Sequence, residues 1–208
     1  DAIMALFDGA PEEQAANGVQ AAIGMQRHLL AYNAERRGWG QEPIATGIGL
    51  HIGQVMLGTL GNEKRMDSTV IGDAANLAAR LEGLTKYYGC RIIISDDLLC
   101  LLGRDAVQSR PLDRVVVKGR QQSILVHEVF EADPEPERAR KEAQLDLYRQ
   151  GFSLYSEREW LGSWQIFQAY LQGDPHDPMA RIYLDRSARL LEQSPPEDWD
   201  GTFQMASK

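Results

Sequence analysis

Asn76 and Arg80 stand one helical turn apart in the stretch STVIGDAANLAARLEG, residues 68–83, among alanines and leucines. Neither suits that setting. Asn has poor helix propensity, and Arg is seldom set beside small apolar side chains without a partner. The i to i+4 spacing puts both on one helix face. A guanidinium offers a planar fork of donors to anionic oxygens, and a carboxamide can hold a hydroxyl. Two readings stand at this point: the pair ties its helix to a neighbouring loop, or it points at a group outside the chain. Other polar residues invite the same double reading. Thr69 is a β-branched strand former, Lys118 in VKGR a solvated turn lysine, and Asp1 a turn residue, unless each meets a ligand. Asp73 is most simply a helix N-cap, and His51, between glycines, a core histidine.

The elements that must hold these residues belong to a globular protein. The chain has 208 residues, 43% of them apolar and 25% charged, which suits one or two domains with a real core. The net charge of −8 argues against a nucleic-acid binder that works by neutralising phosphates, though not against a small nucleotide. Cys90 and Cys100 lack paired spacing and read as buried free thiols of a reducing cytosol. No apolar run reaches the ~18–20 residues of a membrane span. The four histidines show no zinc-ligand spacing. The sequence opens on DAIMALFDG, within what reads as a strand and without Met, so residues are expected upstream.

AIMALF, followed by the turn signal DGAP, predicts a buried strand. Apolar residues at helical spacing from Glu12 to Arg37 predict an amphipathic helix ending near Gly38. PIATGIGLHIGQVMLGTLG predicts two adjacent strands, NEKRMDS a polar connection, and TVIG a short strand. A helix should then run from Asp73 to about Tyr88 and close at Gly89. RIIIS reads as a buried strand, DDLLCLL as a short helix, and RVVVKG with SILVHEVF as a hairpin. The mixture favours an α+β fold with a split βαβ sheet over a doubly wound one.

The composition shifts at EADPEPERAR, which reads as a linker and divides the chain into residues 1–131 and 132–208. Beyond it, Leu145, Tyr148, Phe152 and Tyr155 share one helix face, and Trp160, Trp164, Phe167 and Leu171 another. A third helix should begin with Asp177 as cap and Pro178 at its first position. The pair resembles a single tetratricopeptide repeat with a following helix. One repeat cannot hide its own aromatic stripe, so it must pack on the first part, on a partner or on its own copy.

The ordered string GIGLHIGQVMLG, EKRMDSTVIGDAANLAARLEGLTKYYG and VKGR, across residues 1–130, resembles the class III adenylyl/guanylyl cyclase catalytic domain. The tail through PPEDWDGTFQM resembles, more weakly, the extension of some bacterial cyclases of this class. The resemblance implies a ferredoxin-like (split βαβ) cyclase fold lacking its first elements, joined to an all-α extension. It implies ATP as substrate, cyclic AMP and pyrophosphate as products, two Mg²⁺ or Mn²⁺ ions, and a site shared across a homodimer. Asp1 matches the second metal-binding Asp; the first, and a base-reading Lys, would lie upstream. Asn76 and Arg80 match the pair that orients the ribose and stabilises the pentacoordinate phosphate. Thr69 matches a base-reading position that favours adenine, and Lys118 the lysine that grips the terminal phosphates. Lys64 or Arg65 could add a cation there. The chain alone would then be nearly inactive. The resemblance places it in bacterial intracellular signalling, in the cytoplasm, with any membrane tether in missing upstream domains and with neither nucleic acid nor membrane as a partner of this segment. Two other readings remain: an inactive cyclase-homology module that works through dimerisation, and a scaffold built on the helical tail.

Overall fold

Three consecutive isoleucines set the layers of this protein. The computed structural model describes residues 2–62, 65–116, 123–196, 199, 201 and 202, with backbone only at 59–62 and 65–69. In chain order its elements are α1 (Pro11–Gly38), β1 (Ile48–Leu50), β2 (Met56–Asn62), β3 (Arg65–Ile71), α2 (Asp73–Tyr88), β4 (Ile92–Ser95) and α3 (Asp96–Leu102), then β5 (Ser109–Val116), β6 (Ser123–Val129), α4 (Glu135–Ala143), α5 (Leu145–Ser156), α6 (Trp160–Gly173) and α7 (Pro178–Glu192). One sheet has the order β1-β4-β6-β5, with β1 parallel to β4 and the remaining pairs antiparallel. Along β4 the side chains alternate between faces. Ile92 and Ile94 enter a core with Ala15, Val19 and Ile23 of α1 and Leu98 and Leu99 of α3. Ile93 enters the opposite core with Leu77, Leu81 and Tyr88 of α2 and the tail residues Tyr148, Phe167, Tyr170 and Tyr183. The mixed α+β architecture matches the sequence expectation, and the tail helices share a core with the sheet.

Several local expectations hold. The helices α1 and α3, the buried strand β4 and the β5–β6 hairpin lie where the patterns put them. Asp177 caps α7, its Oδ1 accepting from the backbone N–H groups of Met179 and Ala180 at 2.9 and 3.0 Å. The aromatic stripe is covered: Phe167 and Trp160 are buried, with the Phe167 and Tyr183 rings stacked 5.1 Å apart.

Others are corrected. AIMALF is not a buried strand. Residues 2–7 form no strand, and Ile3, Met4, Leu6 and Phe7 are exposed, because no strand edge among the described residues takes up their backbone hydrogen bonds. The two strands read from PIATGIGLHIGQVMLGTLG do not pair with each other. Instead β2 pairs with β3 in a separate antiparallel ribbon, with Gly58 opposite Thr69. Residues 65–68 of NEKRMDS therefore lie in β3, since antiparallel pairing is made by backbone groups that polar residues supply as well as apolar ones. The acidic, proline-bearing segment after residue 131 carries a helix of its own, α4.

The glycines of β1 and its flanks explain how α2 is seated. A Cβ at Gly47 would strike Thr85, one at Gly49 would collide with the backbone of Ala78, Leu81 and Glu82, and one at Gly53 would lie 2.8 Å from the Ala74 Cβ. Strand and helix thus meet backbone to backbone along one stripe of α2. Glycine serves here through missing volume.

Charges join the tail to the sheet. Arg110 of β5 stands directly opposite Glu128 of β6 in the ladder, and its Nε donates to Glu128 Oε2 at 2.6 Å. Its Nη1 reaches Asp177 Oδ2 at the start of α7, and that oxygen also accepts from the Tyr170 hydroxyl at 3.0 Å. From α4, Lys141 donates to Glu128, Asp133 and Glu137 at 2.7, 2.6 and 3.1 Å. Arg110, Glu128, Asp177 and Lys141 are all buried. Burial alone would favour a neutral Lys141, but the facing carboxylates, Glu128 foremost, raise its pKa above the ordinary lysine value.

Two outcomes follow from these contacts. Arg110→Met leaves Glu128 and Asp177 without their guanidinium and should lower stability by about 3–5 kcal/mol in urea unfolding; an unchanged midpoint would show that the seam does not depend on it. Gly49→Ala should cost at least ~1–3 kcal/mol by forcing α2 off β1, a loss that thermal unfolding would register.

Candidate functional site

The site helix begins where β3 ends. Gly72 precedes α2, and a Cβ there would press against the Gln54 carbonyl at 3.0 Å and Val55 Cα at 3.3 Å, so the helix starts hard against the chain entering β2. Gly72, not Asp73, holds the N-cap position. Asp73 is the first helical residue and makes no capping bond; its carboxylate complements the helix dipole from the first turn. Gly89 closes the helix with φ +67°, the left-handed conformation that favours glycine.

Ala74, Ala78, Leu81, Glu82 and Thr85 form the stripe that meets the glycines. At about 100° per residue, Asn76 and Arg80 fall on the opposite side of α2. Both are exposed. Among the described residues, neither side chain has a hydrogen bond or ion pair, so the reading in which they tie the helix to a loop finds no partner. The same contact that seats the helix turns its two polar residues outward.

The other expected site residues are reached only in part. Thr69 lies on β3, in the ribbon that leads into α2, and only its backbone is described. Arg65 begins that strand on the same terms. Asp1, Lys64 and Lys118 lie outside the described residues, the last between the ends of β5 and β6. His51 is half-buried, its Nδ1 2.8 Å from the Ser95 hydroxyl, as a structural histidine should be. Cys90 is a buried thiol whose pKa burial raises. Cys100, expected to be buried, is exposed on α3, where the Arg104 guanidinium lies 3.2 Å from its sulfur; the apolar run around it belongs to a helix with a solvent face.

No group of three His, Cys, Asp or Glu among the described residues could hold a metal ion. The chain's own candidate ligand is Asp1, outside that set. One feature escaped the sequence reading. Val55, Met56, Leu57 and Ile71, at the base of the ribbon beside the start of α2, are exposed. The run VML reads in the sequence only as part of a strand; its backbone pairing with β3, apart from the four-stranded sheet, is what leaves these side chains without a core to enter.

These features can be set beside known proteins. The family described as the adenylate and guanylate cyclase catalytic domain matches residues 1–129. The terminal-differentiation specific adenylate cyclase of Dictyostelium discoideum is 35% identical over 195 residues, 92% of this chain and 9% of that protein. An adenylate cyclase of Anabaena cylindrica is 45% identical over 135 residues, 62% of this chain and 26% of that protein. The chain thus spans about a tenth to a quarter of the length of these relatives. The crystal structure of the adenylyl cyclase CyaB from P. aeruginosa superposes with a TM-score of 0.51 at 27% identity, covering 58% of this chain and 60% of that one. With the expected α+β sheet and an exposed Asn–Arg helix in place, the chain belongs to the adenylate and guanylate cyclase catalytic domain family.

Proposed function

We propose that this chain is the catalytic part of an adenylate cyclase that converts ATP to cyclic AMP and pyrophosphate in bacterial intracellular signalling, at a site shared by two copies in the cytoplasm. The observation that carries the reading is the Asn76–Arg80 pair, exposed on the face of α2 away from its own sheet and without partners among the described residues. In the reaction the ribose 3′-oxygen forms a bond to the α-phosphorus. The bridging α–β P–O bond breaks, pyrophosphate leaves with the electron pair, and the hydroxyl proton passes to solvent water. Charge grows on the non-bridging α-oxygens, where the Arg80 fork donates. The Asn76 amide holds the ribose so that its 3′-oxygen is aligned. Thr69 reads the adenine edge and Lys118 meets the terminal phosphates. Asp1 and a second carboxylate would hold two divalent ions, Mg²⁺ or Mn²⁺, which when bound would supply Lewis acidity at the phosphates.

The apolar surface of Val55, Met56, Leu57 and Ile71 supports a homodimer, because it adjoins the site helix and would be covered by a second copy. No helix of the described residues is long and apolar enough to cross a membrane. The alternative, a cyclase-homology module without turnover, is separated from this reading by assaying the whole protein for cyclic AMP.

Two experiments bear on the site. With Thr69 at the base, the whole protein should prefer ATP to GTP, since an unmet polar contact costs roughly 1–3 kcal/mol; equal steady-state rates with both would exclude that role. Asp1→Asn and Arg80→Ala should each remove most activity, and mixing the two variants should restore it. Random pairing gives one intact site in each mixed dimer, about a quarter of the wild-type sites. A mixture that stays inactive while subunits demonstrably exchange would place Asp1 and Arg80 in the same half-site.

A further inference from the structure

The helix that carries Asn76 and Arg80 is held at its far end by the tail. Tyr88, the last residue of α2, donates its hydroxyl to Asp113 Oδ2 of β5 at 2.8 Å. Arg186 of α7 donates to the same oxygen, also at 2.8 Å. The other oxygen, Oδ1, accepts from the Arg114 backbone N–H at 2.8 Å. The side chains of Tyr88, Asp113 and Arg186 are all buried. A register shift in β5 between Pro111 and Asp113 makes this possible, because it lets the consecutive Leu112 and Asp113 both be buried. Around this node α7 touches α2 and β5 directly. A Cβ on Gly89, the closing residue of α2, would lie 2.8 Å from Pro178 Cγ, and the Tyr183 hydroxyl donates to the Leu112 carbonyl at 2.6 Å.

This arrangement does more than fill space. Apolar packing lets a helix shift by fractions of an ångström, whereas a buried carboxylate with fixed donors ties three elements to one point. Its donors come from the helix of the candidate site and from a tail that contributes no residue to that site. We propose that Arg186, acting through Asp113 and Tyr88, is a positioning residue for cyclisation, and that the C-terminal helices thereby set the tilt of α2 and the aim of Asn76 and Arg80. The inference rests on the cyclase reading given above. The alignment with the Dictyostelium relative is consistent with it: at 195 residues it is too long to fit within the sheet-bearing part of the chain, so it includes tail residues.

The test uses the whole protein. Tyr88→Phe removes one hydroxyl and hardly any volume, and Arg186→Gln removes the charge. Each should lower kcat with ATP on the order of tenfold while KM changes by less than about twofold, because a misaimed Asn–Arg pair is felt in the transition state more than in binding. Arg186→Lys should recover most of the loss. Combined with Asn76→Ala, either variant should cost less than the product of the single effects, since both act through the same helix. A purely structural role would lower the melting temperature and the folded fraction but leave kcat per folded molecule unchanged, and that result overturns the proposal, as do strictly multiplicative effects. If Arg186→Gln does not fold, Tyr88→Phe carries the test. A wild-type protein that makes no cyclic nucleotide overturns the functional reading and this inference together; an active wild type with unaffected variants overturns the inference alone.

Discussion

The seating of α2 on the glycine-lined face of β1 and its flanks is the constraint from which the site follows. Gly47, Gly49 and Gly53 leave no room for a Cβ against Thr85, the backbone around Leu81, and Ala74. Backbone contact of this kind admits one rotation of the helix about its axis, because any turn brings larger side chains against the strand. That rotation decides where every other residue of α2 points. Leu77, Leu81 and Tyr88 enter the core shared with the tail, while Asn76 and Arg80 are left in solvent. A polar pair with this exposure needs no special local geometry to be presented, only a helix that cannot roll.

A second constraint acts where the tail meets the sheet. Arg110, Glu128, Lys141 and Asp177 are buried charges, and burying ions is costly unless their geometry and partners are good. Here the partners are arranged so that each element answers to two others. Asp177 caps α7 with one oxygen and meets Arg110 of β5 and Tyr170 of α6 with the other. Glu128 of β6 lies between Arg110 and Lys141 of α4. The aromatic cluster of Tyr148, Phe167 and Tyr183 supplies much of the apolar contact at this seam, and the charges fix its register.

What could be read from the sequence was local. The isoleucines of β4, the Asp177–Pro178 helix start and the β5–β6 hairpin announce themselves within a few residues, through alternation, capping and turn chemistry. The i to i+4 pairing of Asn76 and Arg80 is local too. What could not be read depends on distant partners. AIMALF has strand composition, yet composition cannot say whether an edge is present to receive it. The ribbon of β2 and β3 hid behind its polar half, because its strands answer to each other and not to the core. The glycines near β1 read only as part of two strands, and their role emerges with α2 placed against them. Arg110, Asp113 and Arg186 would each pass as surface charges until the chain brings them together.

The separation of those partners has a consequence for how the protein is made. Asp177 follows Arg110 by 67 residues, and Arg186 follows Asp113 by 73. At about 5–20 residues per second, a ribosome needs roughly four to fourteen seconds to deliver the second member after the first. During that interval the sheet can form its ladder, but Ile93, Leu112 and Val126 lack the aromatic cover of the tail, and Asp113 has no Arg186. The nascent chain therefore shows an apolar sheet face with a carboxylate that lacks its cation in its midst, a surface on which a ribosome-associated chaperone could act until α7 arrives.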